Sequence, residues 1–252
     1  MTSAASFFQG YLSSFEDALR PTDAAGPIDS TSCGALAYSA GLRPILDRYA
    51  AAHDYQDVRA TASQWSKYFF SRLGVATLVT QLATDRALDL CLARMRWVSH
   101  DDGRPDFFIL GDPRPAAPID PGSDFSSLID DAFTPVVAAL SRYCRLSARV
   151  FWSNAGVYFA WALGELESQQ RVPTDRLRAV RALMSVPTRP DGGFNPFHRI
   201  YKDCAPGTLD GNHEPADHCR RLCCMRDLDP QWGLCANCPR AMHGPTPSRA
   251  AI

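Results

Sequence analysis

Five cysteines, Cys219, Cys223, Cys224, Cys235 and Cys238, fall within one 20-residue stretch near the end of a 252-residue chain, so the fold must be built around delivering that stretch to one place. The run RRLCCMRDLDPQWGLCANCPR sets Cys223 and Cys224 side by side, leaves ten residues before Cys235, and closes a C-x-x-C with Cys238. Four thiolates can converge there. A C-x-x-C turn brings two sulfurs to one centre while backbone N–H groups inside the turn can hydrogen-bond them. Adjacent cysteines differ: in extended backbone their side chains point to opposite faces, so both reach one centre only if the chain turns or the centre is wider than one ion. A binuclear iron-sulfur cluster is wider. A four-cysteine zinc site that staples a loop-rich C-terminus uses the same ligand types, although structural zinc sites usually pair two C-x-x-C knuckles, a pattern from which the C-C half departs. A thioredoxin-type C-x-x-C normally opens a helix after a strand, and Pro239 with the upstream C-C pair argues otherwise. Neither His218 nor His243 has the spacing of a Rieske ligand.

The other cysteines, Cys33, Cys91, Cys144 and Cys204, are scattered. The start, MTSAASFFQGYLSSFEDALR, lacks a basic region followed by an apolar core, and no stretch reaches the ~18 to 20 apolar residues of a membrane span. A cytoplasmic location with free thiols rather than a disulfide framework is the expectation. Hydrophobic residues at 46% and charged residues at 21% exclude collagen-like and wholly disordered readings. Lys plus Arg at 26 against Asp plus Glu at 27 leaves a net charge of -1, which gives no electrostatic footprint for nucleic acid.

Apolar residues at three- and four-residue spacing predict helices over Leu42 to His53 and Ala60 to Ala83, with Gly74 a candidate break in the second. Leu88 to Val98 changes to a two-residue rhythm, and the turn HDDGRP leads to DFFIL, which predicts a hairpin and a small antiparallel sheet. Residues 101 to 131 hold eight Asp against two Arg and five prolines, the signature of an acidic connecting loop. Two regions are expected, 1–122 and 123–252, either packed halves or one compact domain. In the second, Ser123 or Asp124 caps a helix that Pro135 is placed to kink, ARVFWSNAGVYFAWALGELESQQ reads as a helix buried between neighbours, and PTDRLRAVRALMSV as an amphipathic helix ended by Pro187. Beyond Pro187 regular structure is expected to fade into loops. The fold class is α+β, mainly helical: a helical bundle with a small antiparallel sheet and a loop-rich C-terminal segment.

The C-C-x10-C-x2-C signature, preceded by Arg220-Arg221 and followed by Pro239, resembles the FhuF-type ferric siderophore reductases. VFWSNAGVYFAWAL is similar to that family's Trp-x-Asn helix, and FNPFHRIYKDC to its Asn-Pro-Phe-x-x-Arg segment, so the resemblance covers about residues 125 to 240. The resemblance implies a [2Fe-2S] cluster on Cys223, Cys224, Cys235 and Cys238, and siderophore-bound Fe(III), of the hydroxamate type, as substrate. It also implies a helical part like the C-terminal region of siderophore synthetases that use no peptide template.

No G-x-G-x-x-G follows a predicted strand, so single electrons are expected from outside, from a ferredoxin or a ferredoxin reductase. No nucleophile elbow, P-loop or HExxH supports hydrolysis or phosphoryl transfer. Arg220, Arg221 and Arg226 either favour a more negative, reduced cluster or form a solvated basic face. Trp232, Arg199 and His198 are the candidate substrate contacts. Asn154, a polar amide in an apolar run, is expected either to hold the C-terminal loop or to meet the ligand. Cys204 and Cys219 are expected to be spare thiols, not ligands. The alternative from another class is a zinc-stapled, non-enzymatic binding or scaffolding protein.

Overall fold

In a computed structural model of the protein, the described residues are 4–22, 29–111, 124–204, 218–235 and 237–240. Helices dominate. After 3-10 turns at Ala4–Phe7, Gly10–Ala18 and Cys33–Ala37 come α1 (Ser39–His53) and α2 (Val58–Thr84), then, beyond the sheet, α3 (Thr134–Cys144), α4 (Ala148–Gln169) and α5 (Thr174–Ser185).

The long helix α2 is the centre of the bundle and packs most extensively on α4. It starts where the Asp57 carboxylate accepts a hydrogen bond from Arg59 N at 2.8 Å, and it ends at Asp85, which adopts left-handed backbone with φ 57°. It is unbroken at Gly74, contrary to the expected interruption. A Cβ there would lie 3.2 Å from the Phe133 ring, so the glycine permits close packing rather than a bend. Pro135 produces no mid-helix kink either: a π-helical turn, Ser127–Phe133, precedes it, and α3 starts at Thr134 with the proline in its first turn, where a missing N–H costs nothing. Ser123 lies outside the described residues, whereas Asp124 does act as a cap, accepting from Ser126 N at 2.8 Å.

The hairpin is present but shorter than the alternation suggested, β3 being Arg96–Ser99 and β4 Pro105–Ile109. It sits in a four-stranded sheet of order β1-β4-β3-β2, with β1 at Leu19–Arg20 and β2 at Thr31–Ser32. The sheet is mixed rather than antiparallel, because β1 runs parallel to β4. Regular structure also returns after Pro187: β5 (Tyr201–Asp203) and β6 (His218–Arg220) pair antiparallel. That pairing, with Asp203 opposite His218, brings Cys204 back beside Cys219, and the two form a disulfide with Cα atoms 5.5 Å apart. These two thiols are therefore not spare, which corrects the expectation of free cysteines throughout. One cluster of buried side chains runs from Phe7 to Phe197 and so draws on both sequence regions.

Gly156, on α4, lets the helix backbone approach the C-terminal part of the chain. A Cβ there would sit 2.6 Å from Ile200 Cγ2. Gly156→Ala is expected to cost about 1–3 kcal/mol through overpacking, read as a lower urea midpoint at unchanged m-value. Gly74→Ala should cost less, since the Phe133 ring can give way by a few tenths of an ångström.

Candidate metal centre and adjoining cavity

The segment 218–240 lies across α2 and α4 and is fastened by polar side chains that those helices bury. Asn154 on α4 is fully buried, and its amide nitrogen lies 3.0 Å from Ser63 O, Ser63 Oγ and Ser66 Oγ of α2. Its Oδ1 accepts from Arg220 Nη2, which also donates to Ser153 Oγ at 3.2 Å. Ser63 Oγ and Gln64 Nε2 both donate to the Cys224 carbonyl, at 2.7 and 2.8 Å. Farther along, the buried Asp229 carboxylate accepts from Gln56 N at 3.1 Å and Asp57 N at 3.5 Å. The buried polar side chains of Ser63, Gln64, Ser153 and Asn154 are thus paired with the segment that carries the cysteines. Asn154 is fully buried and bridges α2 to Arg220 of that segment, and it is not among the residues that line the adjoining cavity.

Cys223, Cys224, Cys235 and Cys238 come together. The Cys223 thiol meets Cys238, Cys238 meets Cys235, and Cys235 meets Cys224. Met225, with φ 56°, turns the chain sharply after the C-C pair and donates its N–H to Cys223 Sγ at 3.3 Å. The adjacent Cys223 and Cys224 fall at the two ends of the sulfur row. The Cys224 thiol is pulled down to about 4: its hydrogen bond with Cys235 is the largest cause, burial opposes it, and the charges of Lys67 and Arg220 add to the lowering. Cys223 and Cys235 are pushed up, Cys223 by its contact with Cys238 and by burial, Cys235 by its contacts with Cys224 and Cys238 and by burial.

Among the described residues, no three His, Cys, Asp or Glu side chains are grouped so that one metal ion could be held as they stand. The sulfurs are instead linked pairwise in a row. Arg220 is 3% exposed, its Nε has no hydrogen-bond partner, and no carboxylate pairs with it among the described residues. A buried cation needs a compensating anion, and the neighbouring sulfurs of Cys224 and its row are where one would form. The donor set of four thiols, the orphaned Arg220 Nε and the nearby Lys67 fit an anionic tetrathiolate cluster.

Beside this row lies a cavity of about 310 Å³ whose lining includes Leu222, the residue before Cys223. His198 and Arg199, expected from sequence to meet substrate, both line it. Trp232 does not: its ring is taken up by Tyr55, stacked at 5.5 Å, and by the Arg226 guanidinium at 5.6 Å. Arg149 and Trp152 of α4, Phe194, and Arg221 complete the part of the lining with recognition chemistry. Sequence reasoning missed Arg149, and no local signal marks it. It missed Ser63, Gln64 and Lys67 too, because they are three among many polar residues along α2.

Among the described residues, no helix is long and apolar enough to cross a membrane. Residues 63–205, more than half of the chain, match the family described as ferric iron reductase FhuF-like transporter. The match starts well before residue 125, where the sequence resemblance began, and takes in most of α2; it stops before the four cysteines. A relative named ferric siderophore reductase, from Escherichia coli (strain K12), is 26% identical over 181 residues, which are 70% of this chain and 64% of the relative. The chain thus spans less than two thirds of the length of the curated relative it matches. With a matched span that contains most of α2, all of α4 and the cavity residues up to Ile200, the chain belongs to the FhuF-like ferric iron reductase family.

Proposed function

We propose that the protein is a cytoplasmic ferric siderophore reductase that reduces chelated Fe(III) to Fe(II) one electron at a time. Cys223, Cys224, Cys235 and Cys238 hold a [2Fe-2S] cluster, which when bound supplies one-electron chemistry at a tunable potential. The observation that carries the reading is the row of four thiols, whose first member, Cys223, directly follows the cavity-lining residues Arg221 and Leu222 in the chain. The names of the family and of the Escherichia coli relative support it.

The chain's own residues perform three tasks. Ser63, Gln64, Asn154 and Asp229 fix the cysteine segment on the helices. Lys67 and Arg220 supply positive charge beside the sulfurs, which favours the more negative state. His198 and Arg199 on the cavity wall hold the chelate close to the thiols. The siderophore leaves intact, because its hard oxygen ligands bind Fe(II) far more weakly than Fe(III).

A reduced ferredoxin or ferredoxin reductase gives up one electron for each Fe(III) that takes one. Purified protein with NADH or NADPH alone is therefore expected to release no Fe(II) from a ferric siderophore, and adding a one-electron donor should start turnover, followed anaerobically with a chromogenic Fe(II) chelator. Efficient reduction by NADPH with neither flavin nor second protein present would contradict the reading.

A further inference from the structure

The cavity beside the cysteines has an uneven charge. Its lining holds three arginines, Arg149, Arg199 and Arg221, together with His198, and no Asp or Glu. Among the described residues the guanidinium groups of Arg149 and Arg199 form no ion pair, while Arg221 donates Nε to the Tyr201 carbonyl at 3.1 Å and keeps its other N–H groups. Several arginines elsewhere are paired with carboxylates, as in Arg59–Asp57, Arg104–Asp102, Arg176–Asp85 and Arg189–Asp130. In the cavity three arginines share one lining with no carboxylate to meet them. Arg199 also holds left-handed backbone, φ 56°, a conformation with a steric cost for a side chain that is not Gly, between the buried Phe197 and Ile200.

The apolar part of the lining is aromatic. Trp152 is half-buried on α4, and Phe194 at the rim is 76% exposed, the second most exposed large hydrophobic side chain among the described residues. Guanidinium forks match the paired oxygens of a carboxylate or a catecholate, and flat rings suit a flat arm. A volume of about 310 Å³ is at the small end for ligand pockets and takes one lobe of a chelate rather than the whole complex.

We propose that this cavity receives an oxyanion arm, catecholate or carboxylate, of the ferric chelate, and that the protein selects chelates of net negative charge over neutral or cationic ones. The proposal rests on the reductase reading for the nature of the ligand and departs from the hydroxamate class that the sequence resemblance implied. Selection arises from Arg149, Arg199 and Arg221 before any electron moves, so it is measurable without reduction.

The experiment uses gallium(III) in place of iron, since Ga(III) chelates bind but are not reduced. Quenching of tryptophan fluorescence is titrated with three probes: a Ga(III) tris-catecholate of charge 3−, Ga(III) citrate, and a cationic Ga(III) complex of a linear trihydroxamate. The expected result is at least tenfold tighter binding of one or both anionic probes than of the cationic one, with the preference weakening as NaCl is raised from 0.05 to 0.5 M. Which anionic probe binds more tightly separates the catecholate from the carboxylate source. Arg149→Gln, on the exposed face of α4, and Arg199→Gln should each weaken the anionic probe about tenfold and leave the cationic probe unchanged. Equal affinity for anionic and cationic probes, or an equal effect of the substitutions on both, overturns the proposal and leaves the reductase reading standing. The reductase reading fails separately if an iron chelate that binds is not reduced by any one-electron donor.

Discussion

Serine at any one of Cys223, Cys224, Cys235 and Cys238 is expected to abolish or severely reduce the visible absorption of protein produced anaerobically with ample iron, and to lower its iron and acid-labile sulfide together. The four thiols form a linked row in which each end has one sulfur neighbour and each middle member two, so removal of any one opens the set. A hydroxyl is a poor substitute, being harder and far less acidic than a thiol beside two cations. Cys204→Ser and Cys219→Ser should keep the colour, because those two sulfurs pair with each other in the β5–β6 hairpin. Absorption spectra, metal analysis and paramagnetic resonance of the dithionite-reduced protein check all six variants. Stoichiometric zinc without sulfide in the unsubstituted protein would sink the cluster assignment and favour the zinc-stapled scaffold.

The helices were legible because their apolar periodicity is long and strong, and the cysteine segment because its spacing is unusual. The ends of the helices were not. α1, α2, α3 and α4 end on Asp54, Asp85, Arg145 and Gln170 in left-handed backbone, positions where glycine is the usual signal. Gly74 was misread for the converse reason: its role is to admit the Phe133 ring, a contact from a residue far along the chain. The β5–β6 hairpin was missed because its strands are three residues each and are tied by pairing and a disulfide rather than by alternation. Within the site, Asn154 stood out as an amide in an apolar run, but its partners Ser63, Ser66 and Arg220 lie on other elements, and pairing across elements leaves no periodic trace. The cavity shows the same limit. His198 and Arg199 were visible within one segment, whereas Arg149 joins them only because α4 packs where it does.

Asn154→Leu is expected to be the most destabilising conservative-volume change in the protein, by about 3–5 kcal/mol, since it strands a buried cation. Asn154 Oδ1 and Ser153 Oγ are the only side-chain acceptors that Arg220 has among the described residues, and Arg220 has no carboxylate partner there. With leucine in place, Arg220 loses the amide oxygen and α2 loses the donor that meets Ser63 and Ser66. Ser63 is in turn one of two donors to the Cys224 carbonyl, so the damage passes to the cysteine segment. At ~2–4 °C per kcal/mol for a chain of this size, the thermal midpoint should fall by roughly 6 °C or more. Arg220→Met removes the cation together with its need, and the double variant Asn154→Leu/Arg220→Met should be less destabilised than the sum of the singles, with a coupling of about 1–3 kcal/mol. Strict additivity would mean that Arg220 is neutralised by something other than Asn154. Arg220→Met carries a second readout. If the cluster occupies the cysteine row, loss of the nearest buried positive charge disfavours the more negative reduced state, and the midpoint potential of the loaded protein should shift downward while its ligand set, and hence its spectral shape, stays the same.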